Sequence, residues 1–243
     1  MARGEVIRVL EVDPDLGGDL EPSELAVARP RALARAAWLE RGAWQPLPEQ
    51  WDRRGHLGLL VVEGLLARRL ELGASNCAEL LGAGDLLRPW VRIDSESSIP
   101  MEEGWTVLDP VRIAVLDRRF ANAVSPWPEL TAAILDRAMA RSRWLAFHLA
   151  VAHLRTVEER VLVVLWHFAD RWGSVRPDGI ALRLNVTHAM LASIVAAERP
   201  TVTLALGALR ERGLVEREDD HLWLLHGEPP DALGQLRSLT VAG

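Results

Sequence analysis

Apolar and polar positions follow three different patterns along this chain. From residue 33 to about 120, short apolar runs are broken by glycine, proline and charge. Examples are Leu57-Gly-Leu-Leu-Val-Val-Glu-Gly64, Leu65-Leu-Ala-Arg-Arg-Leu70 and Val111-Arg-Ile-Ala-Val-Leu116. Each run has the length of a strand and each break supplies turn residues. The stretch therefore predicts a small β-sandwich or barrel. Leu81-Gly-Ala-Gly-Asp-Leu-Leu87 predicts a tight turn feeding another strand.

Residues 128 to 153 change period. Pro128 suits the first turn of a helix. Apolar or small residues then recur at Leu135, Ala138, Ser142, Leu145, Leu149 and Ala152. The steps alternate between three and four, the spacing of a coiled-coil seam. One long helix with a narrow apolar face follows. That face either lies on the helix's own core or pairs two-fold with a second subunit, and the spacing alone leaves both open.

The third pattern starts at Thr156-Val-Glu-Glu159, a capping box in which Thr156 and Glu159 satisfy each other's backbone amides. It predicts a helix from Val157 to about Asp170. Gly173 and Pro177-Asp-Gly179 mark a loop, and Ile180-Ala-Leu-Arg-Leu184 a short strand. Thr187 caps a helix from His188 to about Val195. Ala196-Ala-Glu-Arg199 makes a short turn, and a second helix runs from about Pro200 to Arg212, stopped by Gly213. Leu214-Val-Glu-Arg-Glu218 and His221-Leu-Trp-Leu-Leu225, joined by Asp219-Asp220, predict a hairpin. Helix, tight turn, helix and hairpin is the winged helix-turn-helix order. The second helix would enter the major groove, with Arg199 placed for a guanine edge and Thr201 and Thr203 for phosphate or base edges. Val202, Leu206 and Leu209 would pack inward.

Composition narrows the function. The chain has 243 residues and no run of about 18 apolar ones, so no membrane span is expected. Its start lacks a secretory signal, which makes the cytoplasm the expected location. A single cysteine, Cys77, excludes an internal disulfide and argues against an iron–sulfur or cysteine-based zinc site, so no metal or other cofactor is expected. Every one of the 28 basic residues is arginine, and the net charge of −6 argues against a general polyanion binder. Residues 156 to 226 alone carry eight arginines against ten carboxylates. No P-loop, nucleophile elbow or carboxylate pair stands out, so the chain is not expected to be an enzyme. A cupin-type metal barrel needs several converging histidines, and the first 120 residues contain only His56.

Residues 156 to 227 resemble the C-terminal domain of the Crp/Fnr family of bacterial transcription regulators. The likeness lies in Pro177-Asp-Gly179, Val186-Thr-His-Ala-Met-Leu-Ala-Ser-Ile-Val195, Arg199-Pro-Thr-Val202 and Leu209-Arg-Glu-Arg-Gly-Leu-Val215. Upstream, Gly58–Gly64, Gly82–Leu87 and Val107–Asp117 look like the family's β-roll. The resemblance implies an α+β fold: a β-roll sensor of the cyclic-nucleotide-binding jelly-roll type at 33–126, a long central dimerisation helix at 127–155 and a winged helix-turn-helix at 156–228. An N-terminal segment, 1–32, and a tail, 229–243, complete the chain. It also implies a homodimer paired through the seam residues, a two-fold-related double-stranded DNA site, RNA polymerase as a partner and an unidentified small-molecule effector. Thr187 and His188, which open the first helix of the motif, join Arg199, Thr201 and Thr203 as DNA-binding candidates.

Several positions depart from the family. Its recognition helix usually begins Ser-Arg-Glu-Thr with an arginine one turn later, whereas here Glu198-Arg-Pro-Thr201 is followed by Leu204. Glu198 would repel a phosphate. Leu204 cannot donate to a base; it either touches a thymine methyl or packs. In the β-roll, Leu86-Leu-Arg-Pro89 stands where a ribose-binding Gly-Glu falls in relatives, and the phosphate positions fall at Glu102 and Gly104. No cAMP or cGMP binding by the usual route is expected. Asp85, Leu86, Arg88, Trp90 and Trp105 form the candidate effector pocket, with Arg88 or Arg92 as possible anion partners. Trp38, Trp44 and Trp51 bracket the first strands and are expected to cover the roll. The competing reading is a sensor or interaction protein of the same fold whose DNA binding is lost or weakened.

Overall fold

A computed structural model describes residues 5–46, 55–90, 99–219 and 221–229. Trp51, Arg92, Asp220 and all but the first residue of the 229–243 tail lie outside them. The chain divides into two compact units at Trp144/Leu145.

The first unit opens with β1 (Val6–Arg8), α1 (Val9–Val12), a 3-10 turn (Pro14–Gly17) and α2 (Pro22–Ala28). The sequence reading assigned no element here, although Pro22 at the first turn and the Glu21/Glu24 capping box of α2 carry the signal. There follow β2 (Leu33–Leu39), β3 (Gly42–Trp44), β4 (Gly58–Leu72), β5 (Ser75–Gly82), β6 (Leu86–Leu87), β7 (Glu102–Leu116), α3 (Arg118–Val124) and the first part of α4 (Pro128–Ala152). The strands form one antiparallel sheet in the order β1-β2-β7-β4-β5, with β3 on β7 and β6 on β4.

Two strands are far longer than the short runs expected. The runs at Leu57–Gly64 and Leu65–Leu70 belong to a single 15-residue strand, and β7 is equally long. Register shifts between Val61 and Leu66 let β4 pair with β7 along almost its whole length. Gly64 makes this possible: its φ is +91°, and a Cβ there would overlap the Pro110 carbonyl oxygen. The runs are continuous rather than alternating because the sheet is covered on both faces. Leu59, Val61, Ile113 and Val115 pack with Trp90 and Trp105 on one side. Leu60, Ala114 and Leu116 pack on the other against the N-terminal segment, Phe120, Trp127, Leu130 and Ile134. Of the tryptophans expected to cover the roll, Trp44 sits edge-on to Trp105 with ring centroids 5.6 Å apart. Trp38 is exposed beside Arg112 instead.

The second unit takes the rest of α4, then α5 (Val157–Trp172), β8 (Ser174–Arg176), β9 (Gly179–Arg183), α6 (His188–Ile194), α7 (Arg199–Glu211), β10 (Val215–Arg217) and β11 (Leu222–Leu225). The short strand predicted at Ile180–Leu184 is β9, one of the two inner strands of a four-stranded sheet, β10-β11-β9-β8. Among the described residues no single helix is long and apolar enough to cross a membrane.

Candidate nucleic-acid interface

The two helices of the motif are set by local chemistry. Thr156 accepts from the Glu159 amide at 3.2 Å and Glu159 returns the bond at 3.1 Å, which starts α5. Thr187 accepts from the Met190 amide at 3.1 Å and starts α6. Between α6 and α7 the chain reverses at Ala196, whose φ of +52° makes it the one non-glycine residue in the left-handed region among those described. The turn is braced from α5, where the Arg160 guanidinium donates to the Ala196 carbonyl at 3.0 Å. Met190, Leu191, Ile194, Val202, Ala205, Leu206 and Leu209 bury the inner faces of both helices.

This packing aims one charged surface outward. An open recess of about 530 Å3 is lined by Asn185, Thr187, His188, Arg199, Arg217 and His221, and among the described residues no carboxylate lines it. Arg217 and His221 were missed by sequence reasoning. Arg217 comes from β10, next to the turn at Asp219, whose carboxylate accepts from the His221 amide at 2.6 Å and the Leu222 amide at 2.7 Å. A second recess, of about 290 Å3, joins His188 and Thr203 to Arg210, Arg217 and Trp223. Arg217 lies over the Trp223 ring, 5.0 Å from its centroid.

Of the five DNA-binding candidates, Thr187, His188 and Arg199 therefore share one recess, and Thr203 joins His188 in the second. Thr201 is exposed on α7 and lines neither. Thr203 is already committed. Its hydroxyl lies 3.1 Å from the Arg199 carbonyl oxygen and 2.9 Å from His188 Nδ1. The hydroxyl has one proton to give, so it donates either to the carbonyl, with Nδ1 then the donor to it, or to Nδ1. Burial lowers the His188 pKa, and Arg217 and Arg199 lower it further, which keeps the ring neutral in the free protein. Glu198 sits exposed at the N-cap of α7 and makes no capping bond with its side chain.

The seam residues of α4 do not share one environment. Leu135, Ser142, Leu145 and Leu149 are exposed, whereas Ala152 is half-buried. Ala138 packs against the core of the first unit, and Met139 beside it is exposed instead.

The β-roll holds a cavity of about 270 Å3 lined by Arg68, Leu86, Arg88, Pro89, Glu103, Trp105, Ala138 and Arg141. Of the residues assigned to an effector pocket, it brings together Leu86, Arg88 and Trp105. Asp85 instead accepts from the Gly82 amide at 2.8 Å within its own turn. Trp90 is buried against His56, centroids 5.7 Å apart. Glu102 and Gly104, where phosphate was expected to fall, are not among the lining residues. Side chains alternate along a strand, so Glu103 and Trp105 point inward while their neighbours point away. Arg68 lies 3.4 Å from Glu79 and 3.1 Å from Glu103, and Arg141 also pairs with Glu79.

Comparison with known proteins agrees with this geometry. Residues 159–228 match the Crp-like helix-turn-helix domain. A CRP-like cAMP-activated global transcriptional regulator of Mycobacterium tuberculosis is 26% identical over 157 residues, which span 63% of this chain and 67% of that protein. A CooA mutant from Carboxydothermus hydrogenoformans superposes with a TM-score of 0.61 at 20% identity, covering 98% of each chain. A cyclic nucleotide-binding domain containing protein from Listeria monocytogenes gives a TM-score of 0.60 at 19% identity, covering 88% of this chain and 97% of that one.

Proposed function

We propose, for a chain that belongs to the Crp/Fnr family of transcription regulators, that it works as a homodimer on a two-fold-related site in double-stranded DNA and does not answer to cAMP by the usual route. The observation that carries the DNA reading is the recess ringed by Thr187, His188, Arg199 and Arg217. It gathers two arginines with no lining carboxylate among the described residues, on a module whose formal charge is negative, so the positive charge is local and sits at the N-terminus of α7. The amides there add to it. Regulation would then follow from the bound dimer's effect on RNA polymerase, in the bacterial cytoplasm.

The exposed apolar strip of α4 supports the dimer, because Leu135, Met139, Leu145 and Leu149 are left in water by a single chain. The ion pairs of the roll support the loss of the usual cAMP response. Arg68 already lies between two carboxylates, and a cyclic phosphate would have to displace one of them beside Glu103.

A second reading, in which the fold persists and DNA binding has weakened, draws on the exposed Glu198 and the excess of carboxylates in residues 156 to 226. Selection of bound fragments from random duplex DNA by the purified chain, without ligand and with cAMP, separates the two. A two-fold-symmetric motif recovered equally with and without cAMP is the expected result. No enrichment in either condition would favour the second reading.

A further inference from the structure

The outward face of α7 has an unusual composition for a groove-reading helix. Val202, Ala205, Leu206 and Leu209 are buried. At 3.6 residues per turn, positions 200, 204, 207 and 211 point the opposite way. They hold Pro200, Leu204, Gly207 and Glu211. Leu204 is 74% exposed, so the packing role open to it in the sequence is not the one it has. Pro200 has no amide proton. Thr203, on the flank of this face, has its hydroxyl engaged by the Arg199 carbonyl and by His188. A Cβ at Gly207 would meet nothing within 4 Å, so the surface stays open one turn beyond Leu204. Glu211, the one charged member, stands about 10 Å further along the axis.

We propose that Leu204 is a specificity-determining residue that seats the 5-methyl group of thymine, with Pro200 and Gly207 clearing the approach. Base edges in the major groove present polar donors and acceptors, and the thymine methyl is their only apolar group. A leucine pressed onto any other edge would strand a desolvated polar atom. Polar readout on this helix then falls to Arg199 on one flank and Thr201 on the other, while the outward face between them reads methyl groups. The inference rests on the DNA-binding reading above.

The test uses the full chain and duplexes recovered by selection from random DNA. The recovered duplex is resynthesised with deoxyuridine for thymidine in the half-sites, which removes the methyl and leaves the pairing unchanged. For the native chain, affinity is expected to fall about fourfold per half-site, the worth of one buried methyl-sized carbon. For Leu204→Ala, affinity for the thymidine duplex falls by a similar factor and the deoxyuridine penalty disappears, as a mutant cycle requires of a direct contact. Leu204 is exposed, so the variant keeps the melting temperature of the native chain. A motif without thymine, a native chain that binds both duplexes equally, or a variant that keeps the full deoxyuridine penalty overturns the inference and leaves the DNA-binding reading standing. Failure to recover any duplex removes both.

Discussion

Arg199 shows how a residue's role depends on its immediate neighbours. It is exposed at the first position of α7, beside His188 and Arg217 in a recess that no described carboxylate lines. Arg199→Ala is expected to weaken binding to the selected duplex by about 1–3 kcal/mol and to relax preference at one base pair, measured by titration against single-base variants. His167 is the contrasting case, a histidine spent on structure. It packs against Phe147 with centroids 4.7 Å apart and near His148 and Phe168. Burial, then the neighbouring His148 and Arg171, lowers its pKa to about 3. The unfolded chain takes up this proton near pH 6.5, and the folded chain resists it down to about pH 3. Between those values the unfolded state binds more protons, so stability falls as pH falls. Thermal unfolding at pH 7 and pH 5 should show a drop for the native chain and a smaller one for His167→Leu.

At the scale of elements, α5 and α6 were legible because their caps are written within four residues, whereas α2 was missed although its capping box is as local. The Thr156/Glu159 box and the Thr187 cap both form bonds in the structure. The turn between α6 and α7 was visible as a break but not as a strained one. Ala196 adopts φ +52° because Arg160 and the helices on either side hold it there. An L-residue other than glycine is disfavoured in that region by roughly 1–2 kcal/mol, offset in part by the greater freedom of glycine in the unfolded chain. Ala196→Gly is accordingly expected to raise stability by up to about 1 kcal/mol, read as a higher denaturant midpoint with an unchanged slope. The long strands escaped sequence reading for a related reason. A bulge at Gly64 looks like a turn in one dimension, and only its pairing with β7 shows that the strand continues.

For the whole molecule, the decisive quantity is what a single chain leaves uncovered. Leu149 is 66% exposed on α4, and Leu135, Met139 and Leu145 are exposed on the same helix. Leu149→Glu should leave the chain folded and shift its sedimentation at micromolar concentration from dimer to monomer, with loss of affinity for a two-fold-symmetric duplex. A native chain that sediments as a monomer under the same conditions would remove the dimer from the proposal. Ala138 and Met139 illustrate the limit of a spacing argument. Both fit a three-four repeat within one residue, and the core against which Ala138 packs selects Met139 for the outside.

Elements whose signal is local could be read from the chain alone: the capped helices α5 and α6, the helix-turn-helix order, the wing and the inward set Val202, Leu206 and Leu209. Their causes lie within a few residues, in caps, turns and periodicity, and survive without knowledge of the fold. Contacts across distance could not be read. Arg217 reaches the recess of Arg199 because β10 pairs with β11. Glu103 faces Arg68 because strand register turns one residue in and the next out. The Thr203 hydroxyl is engaged because His188, fifteen positions earlier, folds against it. Each depends on which distant atom comes within about 3 Å, and the long-range folding of the chain sets that distance.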